Sequence, residues 1–285
     1  MKLLSALLVF CSLGYAEVVY PGVGTIAHIA DGGGIQMEFV LTNLDDTASN
    51  YSLNFYDDHG NPLSLETSAG TGSDFSGTLA PYASVSISTA GTAANVTQGY
   101  AVVSTCTGTV GALAILRFLT GPWKGSEVVV PSDTWAHSRI SVAFDNTDST
   151  GTALAIVNGS LGYVSVPNVT CQTCTGEIPS AVSVTFRGED GAVIVTDTFN
   201  MTAGEHRSFV TASSYPATAG KRGTIEFTAT ATGGSYPVFG LAPAGSVSVL
   251  ALRFTPSAVS AVTPLVSSKW APVANGNNSA CYDEY

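Results

Sequence analysis

Apolar and polar residues alternate in short runs along most of the chain. Ile35-Gln36-Met37-Glu38-Phe39-Val40-Leu41, Tyr51-Ser52-Leu53-Asn54-Phe55-Tyr56 and Ala83-Ser84-Val85-Ser86-Ile87-Ser88 each send every second side chain to the same face. That period of two is the pleat of a half-buried strand. Gly, Asp-Gly, Asn and Pro punctuate such runs from Val18 to about Ser267, and none of them carries the period of an amphipathic helix. Many short strands separated by turn signals predict an all-β sandwich or barrel.

The runs also recur in order. Phe39-Val40-Leu41-Thr42-Asn43 returns as Leu154-Ala155-Ile156-Val157-Asn158, and the Asn54–Gly60 segment with its Asp57-Asp58-His59-Gly60 turn returns as Thr185–Gly191. Gly77–Val85 is answered by Phe199–Arg207, Gly99-Tyr100-Ala101 by Gly223-Thr224-Ile225, and Leu113–Phe118 by Val249–Phe254, which sets Arg117 against Arg253. A chain of 285 residues exceeds what one core usually organises. The expectation is therefore two tandem Ig-like β-sandwich domains from an internal duplication, over residues 17–134 and 135–270. The offset between equivalents grows along the chain, so the second copy carries an insertion, placed near 161–180. A tail over 271–285 follows. The stretch between the copies, around 131–139, is short enough that the domains should touch.

Ile29-Ala30-Asp31-Gly32-Gly33-Gly34, a strand ending Leu41-Thr42-Asn43, and the Phe55–Gly60 hairpin, in a two-copy layout, resemble a group of uncharacterised exported bacterial two-domain β-sandwich proteins. That resemblance implies fold and export and brings no activity. Where the first copy has its glycine run, the second has Asp145-Asn146-Thr147-Asp148-Ser149-Thr150-Gly151, so a role tied to the glycines would belong to the first domain alone.

Composition narrows the function classes. Hydrophobic residues make up 45% and charged ones 11%, a globular composition rather than a disordered one. With 21 acidic against 10 basic residues, a net charge of −11 and no basic run, nucleic acid is an unsuitable partner. Met1-Lys2, the apolar stretch Leu3–Phe10 and the small residues up to Ala16 read as a secretory signal over 1–16, and no later stretch reaches the length of a transmembrane helix. The mature chain is expected to be secreted, periplasmic or extracellular.

Cleavage after Ala16 leaves Cys106, Cys171, Cys174 and Cys281, an even set in an oxidising compartment. Cys171-Gln172-Thr173-Cys174 is read as a disulfide bracing the insertion, in preference to a redox pair or half a zinc site. Cys106 and Cys281 are then left to pair.

Other residues offer chemistry more weakly. Asp31-Gly32-Gly33-Gly34 reads as a tight turn, with an anion-binding nest or a cation held by Asp31 as the alternatives. Asp145 and Asp148 are the better candidates for a cation, with calcium the ion that such oxygens would take. Arg117 and Arg253 are expected to satisfy carbonyls or a carboxylate within the fold rather than to bind a ligand. Trp123, Trp135 and Tyr163, with Trp270 and Tyr82, could form a stacking face for a glycan. No catalytic motif appears, and the four histidines His28, His59, His137 and His206 lie apart in the sequence. The leading expectation is a non-catalytic structural or adhesive protein of the cell surface, meeting polysaccharide or a surface protein and needing no cofactor. Carbohydrate binding is the alternative, and a secreted hydrolase stands behind it.

Overall fold

The computed structural model describes residues 22–105, 108–133, 137–159, 179–232, 245 and 247–264, in which strands dominate. The signal segment, the tail, most of the insertion and all four paired-cysteine candidates, Cys106, Cys171, Cys174 and Cys281, lie outside the described residues, as do Trp135, Tyr163 and Trp270.

The N-terminal half contains β1 (Gly22–Asp31), β2 (Ile35–Asn43), β3 (Ser49–Tyr56), β4 (Leu65–Thr67), β5 (Gly70–Gly72), β6 (Asp74–Leu79), β7 (Ser84–Ser88), β8 (Thr97–Thr105), β9 (Val110–Phe118) and β10 (Glu127–Pro131). The C-terminal half contains β11 (Arg139–Asp145), β12 (Gly151–Val157), β13 (Ser180–Gly188), β14 (Val193–Met201), β15 (His206–Val210), the single turn α1 (Thr211–Ser214), then β16 (Arg222–Ala231), β17 (Ser248–Phe254) and β18 (Val259–Val262). Four antiparallel sheets result, ordered β1-β8-β3-β6, β10-β9-β2-β7, β11-β16-β13-β14 and β15-β12-β17-β18, with β4-β5 as a separate ribbon. The fold is sandwich-like: in each half the alternating apolar residues of two sheets close on one another, as where the Phe39 and Phe55 rings meet at 4.9 Å.

Read strand by strand, the second pair of sheets has the same order as the first, and buried polar groups occupy matching places in it. Asn43 and Asn158 are both fully buried. The Asn43 amide donates to the carbonyls of Thr47, Leu79 and Ala80, while its oxygen accepts from the Asp45 N–H and the Ser49 hydroxyl. In the other half the Asn158 amide donates to the carbonyls of Met201 and Thr202, and its oxygen accepts from the Ser180 hydroxyl. Each asparagine thus fastens the end of one sheet to the strand that closes the other, with its own hydrogen-bonding capacity satisfied.

One expected equivalence fails by a single residue. With Asn43 set on Asn158, the pairing of β2 with β9 and of β12 with β17 makes Arg253 the counterpart of Leu116, not of Arg117. A shift of one reverses a strand's faces. Arg117 accordingly lies on the outer face of its sheet, held by Glu38 at 2.6 Å and Glu127 at 2.7 Å. Arg253 stands at the mouth of the second sandwich, paired with Asp145 at 2.6 Å. Both arginines meet carboxylates of the fold, but on opposite faces.

The outer face of the β12 and β17 pair joins the halves. On β12 and β17 the inner residues Leu154, Ile156, Val249 and Ala251 pack in the second half's own core. The outer residues Ala155, Val157, Leu250 and Leu252, with Val259 of β18, belong instead to the core of the N-terminal half. Strands buried on both faces lose their alternation, which is why Leu154-Ala155-Ile156-Val157 and Val249-Leu250-Ala251-Leu252 are continuous apolar runs. Edge strands β1 and β10 cover this face. At its margin the Trp123 ring lies 4.9 Å from that of Phe254, and its indole N–H donates to the Thr255 carbonyl at 2.8 Å.

Candidate functional site

The seam gathers titratable groups that are remote in sequence. On β1, Ile26 pairs with Ala101 and Ile29 with Gly99, so Ala27 and His28 together stand opposite the single residue Tyr100. This β-bulge lets Ile26 and Ile29, three apart, both enter the core, and it re-aims His28 towards the seam. Asp58 arrives from the turn after β3. That turn is held by the Asp57 carboxylate, which accepts the His59 and Asn61 N–H groups at 2.8 Å, leaving Asp58 to face the other half. His206 opens β15, on the face of that sheet turned towards the N-terminal half.

These side chains form a line. Asp58 Oδ1 accepts from His206 Nδ1 at 2.7 Å, and His206 Nε2 lies 3.2 Å from His28 Nδ1. Asp58 Oδ2 accepts from the Gln98 amide at 3.0 Å, whose oxygen accepts from the Ser208 hydroxyl at 3.0 Å. The Asp58 carbonyl also takes the His206 N–H at 3.0 Å. Tyr100 stacks over His206 with Tyr56 behind it, ring centroids 6.4 and 5.1 Å apart. Hydrogen bonding to His206, then to Gln98, holds the Asp58 carboxyl below its ordinary range against its partial burial. Burial, then the neighbouring His206 ring, drives His28 down as well, to about 3, with Asp58 opposing.

Alongside the line runs a crevice of about 390 Å³. His28, Gln98 and Ser208 supply its polar edge, and Leu250, Leu252 and Phe254 are among its apolar lining.

The chain matches no family model and no curated protein. Its functional reading therefore rests on its own geometry.

The residues singled out in the sequence fare unevenly. Asp145 is committed: one oxygen accepts the Thr147 N–H and hydroxyl, and the other meets Arg253. That use competes with the cation expected at Asp145 and Asp148, and among the described residues no three His, Cys, Asp or Glu side chains gather to hold a metal. Asp31-Gly32-Gly33-Gly34 is the turn that carries the chain from one sheet to the other. All three glycines have φ between +60° and +88°. The Asp31 carboxylate accepts the Gly91 N–H, and the Gly32 and Gly33 N–H groups go to the carbonyls of Ile35 and Ala93, which leaves no nest. Trp123 is wedged at the seam between Phe118 and Phe254. Tyr82 is 67% exposed and stands apart from it.

The histidine line predicts acid lability. A folded ring that resists protonation means that unfolding takes up a proton between about 3 and the ordinary 6.5. The stabilisation is complete above that window and is lost as pH falls through it, at up to about 1.4 kcal/mol per pH unit. Denaturant midpoints measured from about pH 7 down to about pH 5, above the range where the carboxylates titrate, should fall for the native protein. They should be nearly level for His28→Gln; parallel curves would contradict this assignment.

Proposed function

We propose that this protein is an exported, non-catalytic structural or adhesive module, in which two sandwich domains descended from one ancestor by duplication form a single stiff unit. The apolar seam is the observation that supports this most. A hinged receptor or a domain-closing enzyme keeps its interface polar and small, whereas here the outer face of β12 and β17 is continuous with the neighbouring core. The polar interior is engaged in holding the fold: among the described residues every buried side-chain nitrogen and oxygen has a partner. Exposed faces carry small hydroxyl pairs across strands, such as Thr42 with Ser84 and Thr185 with Thr196, which suit a surface-displayed sheet.

The reading is tested with the purified full-length protein and with fractions of the cells that produce it. Expected are residence in the envelope or medium and no turnover across a panel of glycosidase, esterase and peptidase substrates. Cytoplasmic residence or turnover would overturn it. A pull-down on insoluble polysaccharides completes the test: retention abolished by Trp123→Ala or Tyr82→Ala would favour carbohydrate binding instead.

A further inference from the structure

The seam line fixes the hydrogen-bonding character of the crevice. A carboxylate only accepts, so Asp58 requires the proton of His206 on Nδ1. In the tautomer that carries this single proton, His206 Nε2 is an acceptor, and across the 3.2 Å contact His28 then donates from Nδ1. The remaining nitrogen, His28 Nε2, is then a lone-pair acceptor. It has no partner among the described residues, and it is not one of the sealed polar atoms, all of which are satisfied; His28 itself lines the crevice. The other polar lining groups, Gln98 and Ser208, are already bonded to Asp58 and to each other. The His28 nitrogen is therefore the lining acceptor with no partner of its own, beside apolar walls from Leu250, Leu252 and Phe254.

We propose that the crevice is a binding site for a small uncharged molecule with an apolar, ring-sized body and one hydroxyl or N–H group that donates to His28 Nε2. About 390 Å³ at the seam, mostly apolar with a few polar atoms at one edge, has the dimensions and lining of small-molecule sites. The Phe254 ring favours a flat body. An anion is rejected, because it would set its own lone pairs against that of Nε2, and the burial of His28 opposes the protonation that would relieve the clash. Asp58 and His206 are positioning groups: they hold the tautomer of His28 and touch no ligand.

Three probes of one shape test the site by calorimetry on the full chain at about pH 7.5: 1-naphthol, which donates; 1-methoxynaphthalene, which cannot; and 1-naphthoate, which is charged. Naphthol should bind about tenfold more tightly than either of the others, the worth of one hydrogen bond. His28→Phe should remove the preference while keeping an apolar recess. Ala153→Phe, on the lining but off the histidine line, should abolish binding of all three. Equal affinity for the three probes, no binding of naphthol, or a naphthol preference that survives His28→Phe would each overturn the proposal. Should His28→Phe fail to fold, the probe series on the native protein and on Ala153→Phe still decides it.

Discussion

Asn43→Ala should destabilise the protein by about 3 to 5 kcal/mol, and Asn158→Ala by a similar amount, although neither residue is apolar or near the seam crevice. Each side chain is fully buried and ties β-sheet ends together through backbone carbonyls and a buried serine. Truncation leaves those groups desolvated without partners, and the cost of orphaned groups, not the modest net worth of each bond, sets the size of the loss. Equilibrium denaturation of the two single variants and of the pair Asn43→Ala with Ser49→Ala provides the measurement. Removing both members of the Asn43–Ser49 contact should cost less than the sum of the separate changes. A loss below about 1 kcal/mol for either asparagine would mean that water replaces it freely.

Gly99→Ala and Gly223→Ala should be at least as damaging, with losses of about 3 kcal/mol or more and little folded protein at growth temperature. A Cβ on Gly99 would lie 1.9 Å from the Tyr56 carbonyl oxygen, and one on Gly223 would lie 2.0 Å from that of Arg187. Both obstacles are backbone atoms of the adjacent central strand, so relief requires opening the ladder. The control is Gly191→Ala: φ there is +78° but no atom lies within 4 Å of the added carbon, so only the left-handed backbone penalty of about 1 kcal/mol applies. If all three variants melted alike, close approach would not be the reason for glycine at positions 99 and 223.

Much of the architecture was legible in the sequence, because alternation is a direct record of a pleat with one wet face. The recurrence of Asn43 as Asn158 and of Gly99 as Gly223 survives in three dimensions, since each does a task that few other residues can do. The match of Arg117 with Arg253 did not survive. Leu-Arg-Phe recurs in both halves, but similarity of letters carries no face parity, and only the pairing of β17 with β12 reveals the slip. The candidate site was least legible. Asp58 reads as a turn residue and His206 as the start of a strand, and nothing in their spacing shows that the two halves press them together. The one local trace is the three-residue interval between Ile26 and Ile29, which breaks the period of two where the bulge turns His28 outward. The place of Trp123 was hidden for a related reason: an aromatic beside a loop is indistinguishable, in sequence, from one that caps the contact between neighbours.

The joint between the halves is one-sided. Ala155, Val157, Leu250 and Leu252 form an oily outer surface on the C-terminal half, while the corresponding surface of the N-terminal half is solvated and carries the Glu38, Arg117 and Glu127 ion pairs. Chains emerge and fold from the N-terminus first, so the edge that shields this surface can be finished before the surface itself exists. Vectorial assembly thereby gives the first-made half the office of a built-in chaperone, and the reverse gene order would expose a sticky sheet to its neighbours for as long as its cover took to arrive.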